Sequence, residues 1–229
     1  PLTGTAFVTE TLEYLAEMFG VQIEHEELTE EQVYELDTYR AYKYAAEFVS
    51  SWDTPTEMIA AEFTKRQWSE EDWVKLKEMG VGFVADFKEF REHLKGRGFS
   101  ASFLDDIDLG SKTIFAHGNL IYTIKDEYGR PVGFAARNLS DTGSKFVNQR
   151  TTGVKCNIYQ KGKRLYNLNH ALRYKSEGPL YIMEGYSDVI SSNLRGFNRS
   201  VAICGTALTN DHLLCLKEHG IYNVVLCLD

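Results

Sequence analysis

The sequence predicts an α/β (α+β) protein: a helical and mixed N-terminal part followed by a partial parallel sheet. Three observations carry this. Up to about residue 105 apolar residues recur at helical spacing; from Thr113 the period shortens to that of strands; from Gly178 strand and helix patterns alternate through short connections. The expected divisions are therefore 1–105, 106–177 and 178–229.

Taken in order, "TETLEYLAEMFG" reads as a helix stopped by Gly20, and "TEEQVYELDTYRAYKYAAEFVSSW" as a long amphipathic helix. "TPTE" from Thr54 offers an N-cap, a proline at the first helical position and a glutamate three residues on. "SEEDWVKLKEMG" repeats that pattern with Asp72 and Gly80, and "DFKEFREHLKGRG" follows. The Tyr and Trp residues of this part are expected in the core. "TIFAH" and "NLIYTIK" then read as strands, and "IYTIKDEYGRPVGFAAR" as a hairpin; "KFVN" and "KRLYNL" are short extended pieces. Last come strand "PLYIM", helix "YSDVISSNLRG", strand "RSVAIC", helix "TNDHLLCLKEHG" capped by Thr209 and stopped by Gly220, and strand "NVVLCL" before Asp229. These strands are nearly continuous apolar runs, as expected of a parallel sheet covered on both faces.

With 229 residues, 43% hydrophobic and 25% charged, the chain is long enough for a sizeable core. No apolar run is long enough to span a membrane, and "PLTGTAFVTE" lacks the basic and apolar regions of a signal peptide. The absence of an initiating Met suggests a piece of a longer chain. The four cysteines, Cys156, Cys204, Cys215 and Cys227, include no C-x-x-C pair; Cys204 and Cys227 sit in apolar runs and read as packing. Neither a zinc site nor a disulfide framework is expected, and a reducing compartment is. Net charge is −8, yet Lys125 to Lys175 holds eleven basic and three acidic residues, a local +8. Such segregation marks either a polyanion-binding surface or a solvated basic face.

Parallel strands joined by right-handed crossovers end on one rim, where ligands of open α/β sheets bind. Glu184 follows the first of these strands, Asp229 follows the third, and Asp188 lies in the first turn of the helix after Glu184. Singly, each has an ordinary explanation as a turn residue, a helix-capping acid or a chain end. Together at corresponding strand ends they favour a divalent cation, because gathered carboxylates repel unless neutralised and hard oxygens suit Mg²⁺.

"MEGYSDVI", "VAICGTALTNDH" and "VVLCLD" resemble a Toprim domain, in which a strand-end Glu and a later Asp-x-Asp pair hold catalytic metal. Glu184 matches the Glu, Asp229 the first Asp of the pair, and Asp188 the acid that primases carry four residues after the Glu. "DEYGRPVGFAARNL", "SKFVNQ" and "KGKRLYNLNHAL" resemble the basic central region of bacterial and phage-type DNA primases. "HLKGRGFSASFLDDIDLG" resembles their upstream helical subdomain. The likeness covers roughly residues 85 to 229, with a fainter echo at "TLEYLAEMFGVQIE". Departures from the pattern are Ala135-Ala136 for Gly-Gly, Lys145-Phe146 for Lys-Tyr, and "LYNL" for Leu-Tyr-Gly-Leu.

The resemblance implies synthesis of RNA primers on single-stranded DNA from ribonucleoside triphosphates, with Mg²⁺ or Mn²⁺ at Glu184, Asp188 and Asp229. Arg137, Lys145 and Lys161 match basic positions that would contact template or nucleotide phosphate, with Lys163, Arg164 and Asn148 beside them. It also implies a cytoplasmic protein, with a replicative helicase as partner through a C-terminal domain outside this sequence. Two readings compete: another Toprim enzyme, a nuclease or topoisomerase fragment, or a non-catalytic DNA-binding Toprim module. The basic hairpin favours the primase reading.

Overall fold

The computed structural model describes residues 14–16, 18–20, 28–140, 143–150, 155–156, 158–203 and 207–228. The chain forms two compact units, Pro1–Val33 and Tyr34–Asp229. In the first, residues 14–16 and 18–19 are helical; the rest of "TETLEYLAEMFG" except Gly20 lies outside the described residues.

Helix α1 (Glu30–Val49) buries Thr38, Ala41, Tyr42, Ala45, Ala46 and Val49 at three- and four-residue spacing, one stripe facing the core. Helix α2 (Glu57–Lys65) starts two residues later than "TPTE" suggests. Thr56, extended at φ −63° and ψ 159°, is the N-cap, and its carbonyl accepts the first helical bond from Ala60. Pro55 is buried ahead of the helix rather than placed at its first position. The Ser69–Asp72 capping box is present, the Ser69 N–H donating to Asp72 Oδ2 at 2.8 Å. It opens a 3₁₀ turn (Glu70–Asp72) that leads into α3 (Trp73–Glu78). Asp86 caps α4 (Phe87–Gly96) and Ser100 caps α5 (Ala101–Asp106).

The first sheet is antiparallel, in the order β1 (Val81–Gly82), β2 (Asn119–Lys125), β3 (Pro131–Asn138), β4 (Phe146–Asn148). The hairpin turn is held by Asp126, whose Oδ1 accepts the N–H groups of Tyr128 and Arg130, with Gly129 at φ +88°. "TIFAH" is not a strand. The Asn119 side chain donates to the carbonyls of Thr113 and Ile114, folding the segment into turns that put the adjacent Ile114 and Phe115 both into the core. A strand would have sent them to opposite faces. Helices and sheet share this core: Phe90 stacks on Phe115 at 4.5 Å, Phe115 meets Phe134 edge-on at 5.3 Å, and Phe134 stacks on Tyr42. Of the Tyr and Trp residues expected inside, Tyr42, Trp52 and Trp68 are buried, Tyr34, Tyr39, Tyr44 and Trp73 pack against the core half-buried, and Tyr14 is exposed.

The second sheet is parallel, in the order β6 (Ser200–Ala202), β5 (Leu180–Met183), β7 (Val224–Cys227). Helix α7 (Tyr186–Leu194) follows β5 and α8 (Asn210–Glu218) follows β6. Tyr186, Val189 and Ile190 of α7 join the main core, whereas Leu216 of α8 lies in a second cluster with Leu180, Ile182 and Val201. The two helices therefore cover opposite faces. "KRLYNL" is extended at Arg164 and at the Tyr166 bridge. Lys161–Lys163 is a 3₁₀ turn, Tyr166 makes a single antiparallel bridge to Ala202, and Asn167 at φ +68° turns the chain into α6 (Leu168–Ala171). All four residues of β7 are exposed, contrary to the two-sided burial expected of its apolar run. The same exposure corrects the expected packing of Cys227; Cys204 lies outside the described residues.

Candidate active site

β5 is the central strand, and both neighbours run parallel to it. Met183 pairs with Ala202 on one side and Cys227 on the other, so the three strands end level on one rim. Glu184 is the next residue after β5 and is exposed. Gly185 then makes the strand-to-helix turn as the N-cap of α7, and its N–H donates to Asp188 Oδ2 at 3.1 Å. A Cβ at position 185 would sit 2.9 Å from that oxygen, so glycine is the residue that lets the carboxylate close over the turn. Asp188 thus satisfies a helix N-terminus and still lies on the rim beside Glu184. β7 ends at Cys227 level with Met183; Asp229 lies outside the described residues.

The rim is fixed to the antiparallel sheet through Tyr186. Its ring stacks on Tyr122 of β2 at 4.9 Å and 8°, and meets Tyr166 edge-on at 5.0 Å. Its hydroxyl donates to Asn148 Oδ1 at 3.1 Å, and the neighbouring Ser187 hydroxyl is 3.1 Å from that of Tyr122. Burial pushes the Tyr122 phenol pKa upward, which keeps it a neutral hydrogen-bonding group. Farther along α7, Trp68 Nε1 donates to Ser191 Oγ at 2.9 Å, and Lys75 Nζ to the Asn193 carbonyl at 2.5 Å. Polar tethers along its length therefore set the attitude of the parallel sheet.

Antiparallel register sorts the basic residues. Ala135 pairs with Asn148, Arg137 with Phe146 and Ala135 with Tyr122, so Tyr122, Arg137, Phe146 and Asn148 share the sheet face that meets Tyr186. Arg137 is nearly buried: its Nε lies 2.8 Å from Glu62 Oε1, and its guanidinium sits over the Phe146 ring at 5.4 Å. Glu62, itself 7% exposed, also accepts from Arg66 Nε at 2.6 Å. Lys145 is exposed just ahead of β4. Lys161 and Lys163 flank Gly162, whose carbonyl accepts from Thr209 Oγ1 at 2.6 Å. Thr209 caps α8 at the end where β6 delivers the chain, so this turn stands at the same rim as Glu184. Arg164 is directed elsewhere, its Nη1 2.5 Å from Glu127 Oε2. The methyls of Ala135 and Ala136 are buried and face protein.

Residues 52–172 match the family described as DNA primase catalytic core, N-terminal domain. The chain belongs to the DNA primase catalytic-core family. Residues 178–229 match the Toprim domain in addition. The DNA primase of Deinococcus radiodurans is 39% identical over 113 residues, covering 49% of this chain and 19% of that protein. That of Clostridium acetobutylicum is 31% identical over 153 residues, 63% and 25% respectively. The chain thus spans a quarter or less of the length of these relatives.

Among solved structures, the RNA polymerase domain of Mycobacterium tuberculosis primase DnaG has a TM-score of 0.71 at 24% identity, covering 85% of this chain and 66% of that one. The zinc-binding and RNA polymerase domains of Aquifex aeolicus primase have a TM-score of 0.72 at 21% identity, covering 96% and 54%. A DnaG primase catalytic domain bound to single-stranded DNA has a TM-score of 0.69 at 24% identity, covering 85% and 63%. At these identities the structures establish the shared fold.

Two parts of this candidate site were not picked out from the sequence. Glu62 lies mid-helix far from the basic segment, and only folding makes it the partner of Arg137. Tyr186 reads as a helix-start residue, and the cue to its role was its place directly after the Glu184-Gly185 turn.

Proposed function

We propose that the chain is part of a template-directed RNA polymerase that makes primers on single-stranded DNA, with its reacting groups between the Glu184 rim and the basic sheet. The observation that carries this is the Tyr186–Asn148 bond, which sets a carboxylate rim against a cationic sheet face within one rigid junction. That is the pairing a nucleotidyl transferase needs. The likeness to a primase catalytic domain bound to single-stranded DNA supports it.

The donor chemistry fits a divalent cation. Among the described residues no three His, Cys, Asp or Glu side chains cluster, but Glu184 and Asp188 offer hard oxygens. Mg²⁺ keeps several waters and accepts one or two protein carboxylates. Glu184, Asp188 and Asp229 would hold it. When bound, such an ion lowers the pKa of the attacking 3′-hydroxyl and neutralises charge on the phosphates. The chain's own residues do the remainder. Lys145, Lys161 and Lys163 hold phosphates without reading sequence. Tyr186 occupies Asn148 Oδ1, leaving its amide NH₂ to donate to sugar or base. Glu62 and Phe146 hold Arg137 in one orientation, so it meets a phosphate without losing rotamer freedom. Arg164 serves its ion pair first and contributes least.

The reading places the protein in the cytoplasm with ribonucleoside triphosphates as substrates and a replicative helicase as partner of the longer protein; among the described residues no helix is long and apolar enough to cross a membrane. The test is primer synthesis by the longer protein that contains this chain. Glu184→Gln should reduce ribonucleotide joining by at least about a hundredfold, an effect of roughly 3 kcal/mol on the barrier, with single-strand binding unchanged. Synthesis that survives this change removes the metal assignment. Synthesis unaffected by Lys145→Ala and Lys161→Ala together removes the basic sheet from the site.

A further inference from the structure

A second polar cavity, of about 580 Å³, opens on the other side of the junction. It is lined by α3 and β2 on one side and by residues 166–174 on the other. Its position follows from topology. Tyr166 bridges β6 in the antiparallel sense, so the chain after it runs away from the Glu184 rim. Residues 175 and 178 confirm the direction, since their carbonyls accept from Arg199 just ahead of β6.

Three cations converge on this cavity. Lys75 and Lys125 each spend one proton on a backbone carbonyl, of Asn193 and Glu78 respectively, and an ammonium has three to give. Arg173 is the third. Among the described residues no carboxylate forms an ion pair with any of them, although Glu71 and Glu78 stand exposed on the lining. Desolvation, and next the charge of Arg173, push the Lys125 pKa down. Desolvation chiefly, then Arg173, Lys75 and Lys125, push His170 down despite its bond to the Asn198 backbone. Glu78 offsets the downward push in part at Lys125, and the three cations repel one another.

Two buried polar atoms on the lining have no hydrogen-bond partner among the described residues: Thr123 Oγ1, on a residue 1% exposed, and His170 Nδ1. A buried polar atom left unpaired is destabilising, and a ligand that pairs it removes that cost. A neutral imidazole has one acceptor nitrogen, and Nδ1 is a buried ring nitrogen of His170 with no partner among the described residues. The His170 and Tyr174 rings lie 5.0 Å apart. The cavity therefore offers a cationic floor, one hydroxyl, one acceptor and an aromatic wall, within the size range of small-ligand sites.

We propose that this cavity is a ligand site, separate from the Glu184 rim, for a phosphorylated sugar or nucleoside monophosphate. Lys75, Lys125 and Arg173 hold the phosphate, and His170 Nδ1 accepts from a sugar hydroxyl. Such a ligand cross-links α3 and β2 to the segment leading into β5, the same junction that orients the rim.

The test uses the 229-residue chain in metal-free buffer, so that it does not depend on the rim. Calorimetric titrations with inorganic phosphate, ribose 5-phosphate and adenosine 5′-monophosphate separate the contributions of phosphate, sugar and base. Ribose 5-phosphate should bind saturably and at least about tenfold more tightly than inorganic phosphate, a difference of about 1.4 kcal/mol. Arg173→Met, at an exposed position, should weaken it about tenfold, and His170→Phe should bring it down to the level of phosphate alone. Amide resonances of Thr123 and of residues 167–174 should shift in the unmodified chain, which keeps the test valid if a variant misfolds. Glu184→Gln should leave binding unchanged. No saturable binding by any probe, equal binding of phosphate and ribose 5-phosphate, or loss of binding in Glu184→Gln would each overturn the proposal.

Discussion

The wholly apolar strand β7 of the parallel sheet is exposed, whereas the more polar strand β2 of the antiparallel sheet is buried. β2, in the antiparallel sheet, is buried from Asn119 through Ile124; β7, in the parallel sheet, is exposed at all four residues. The difference is in what packs against them. β2 lies between two paired strands, shares the main core with the helices, and faces Tyr186 on the side of Tyr122. Among the described residues β7 pairs with β5 alone. Hydrophobic sequence selects the strand; the neighbours decide whether its side chains stabilise anything.

The largest expected effect comes from cutting into the shared core. Phe134→Ala removes a ring that touches both Phe115 and Tyr42 and should cost about 3–5 kcal/mol, read as a fall in the denaturant midpoint. The matching cut in the other sheet, Leu226→Ala at a residue 56% exposed, should change stability by less than about 0.5 kcal/mol. Equal losses at the two positions would end the comparison. Glu62→Ala comes next. It leaves Arg66 and Arg137 without their carboxylate in a nearly buried setting and should cost about 3 kcal/mol; a Glu62→Gln variant of unchanged stability would show that the charge is dispensable there. Tyr186→Phe keeps the ring stack and deletes the bond to Asn148, for about 1 kcal/mol, and should broaden the Asn148 amide resonance more than it lowers the midpoint.

The smallest effect is one of pH. His212 is buried, its Nδ1 accepts the Thr209 N–H, and desolvation pushes its pKa below the ordinary histidine value. The unfolded chain then binds the proton more readily, so the stability from the neutral ring is present above about pH 6.5 and is lost as pH falls below it. Melting temperature should drop between pH 7.5 and 5.5, and less so in His212→Asn; a parallel drop in both would place the effect at another group.

Local signals in the sequence were sufficient where the determinant was local. The Asp126 turn, the Ser69–Asp72 box, the Thr209 cap and the β-α-β-α-β order are written in adjacent residues, as is the position of Glu184 at a strand end. Signals failed where a distant group decided the outcome. "TIFAH" has the apolar run of a strand, and the side chain of Asn119 bends it. Arg137 reads as a candidate phosphate contact, and its pairing with Glu62, seventy-five positions earlier, is added by the fold. Because Glu62 sits in a helix whose pattern gives no hint of a partner, that pairing was not legible.

The outer margin of β7 has a consequence for how molecules of this chain treat one another. Val224, Val225, Leu226 and Leu228 present alkyl side chains with no lysine or proline among them to discourage pairing. Bodies that each carry a formal charge of −8 repel one another, which opposes the approach of two such ribbons. Added salt weakens that repulsion and leaves the greasy ribbon untouched, so clumping should grow with ionic strength, the reverse of what salt does to a grip on nucleic acid.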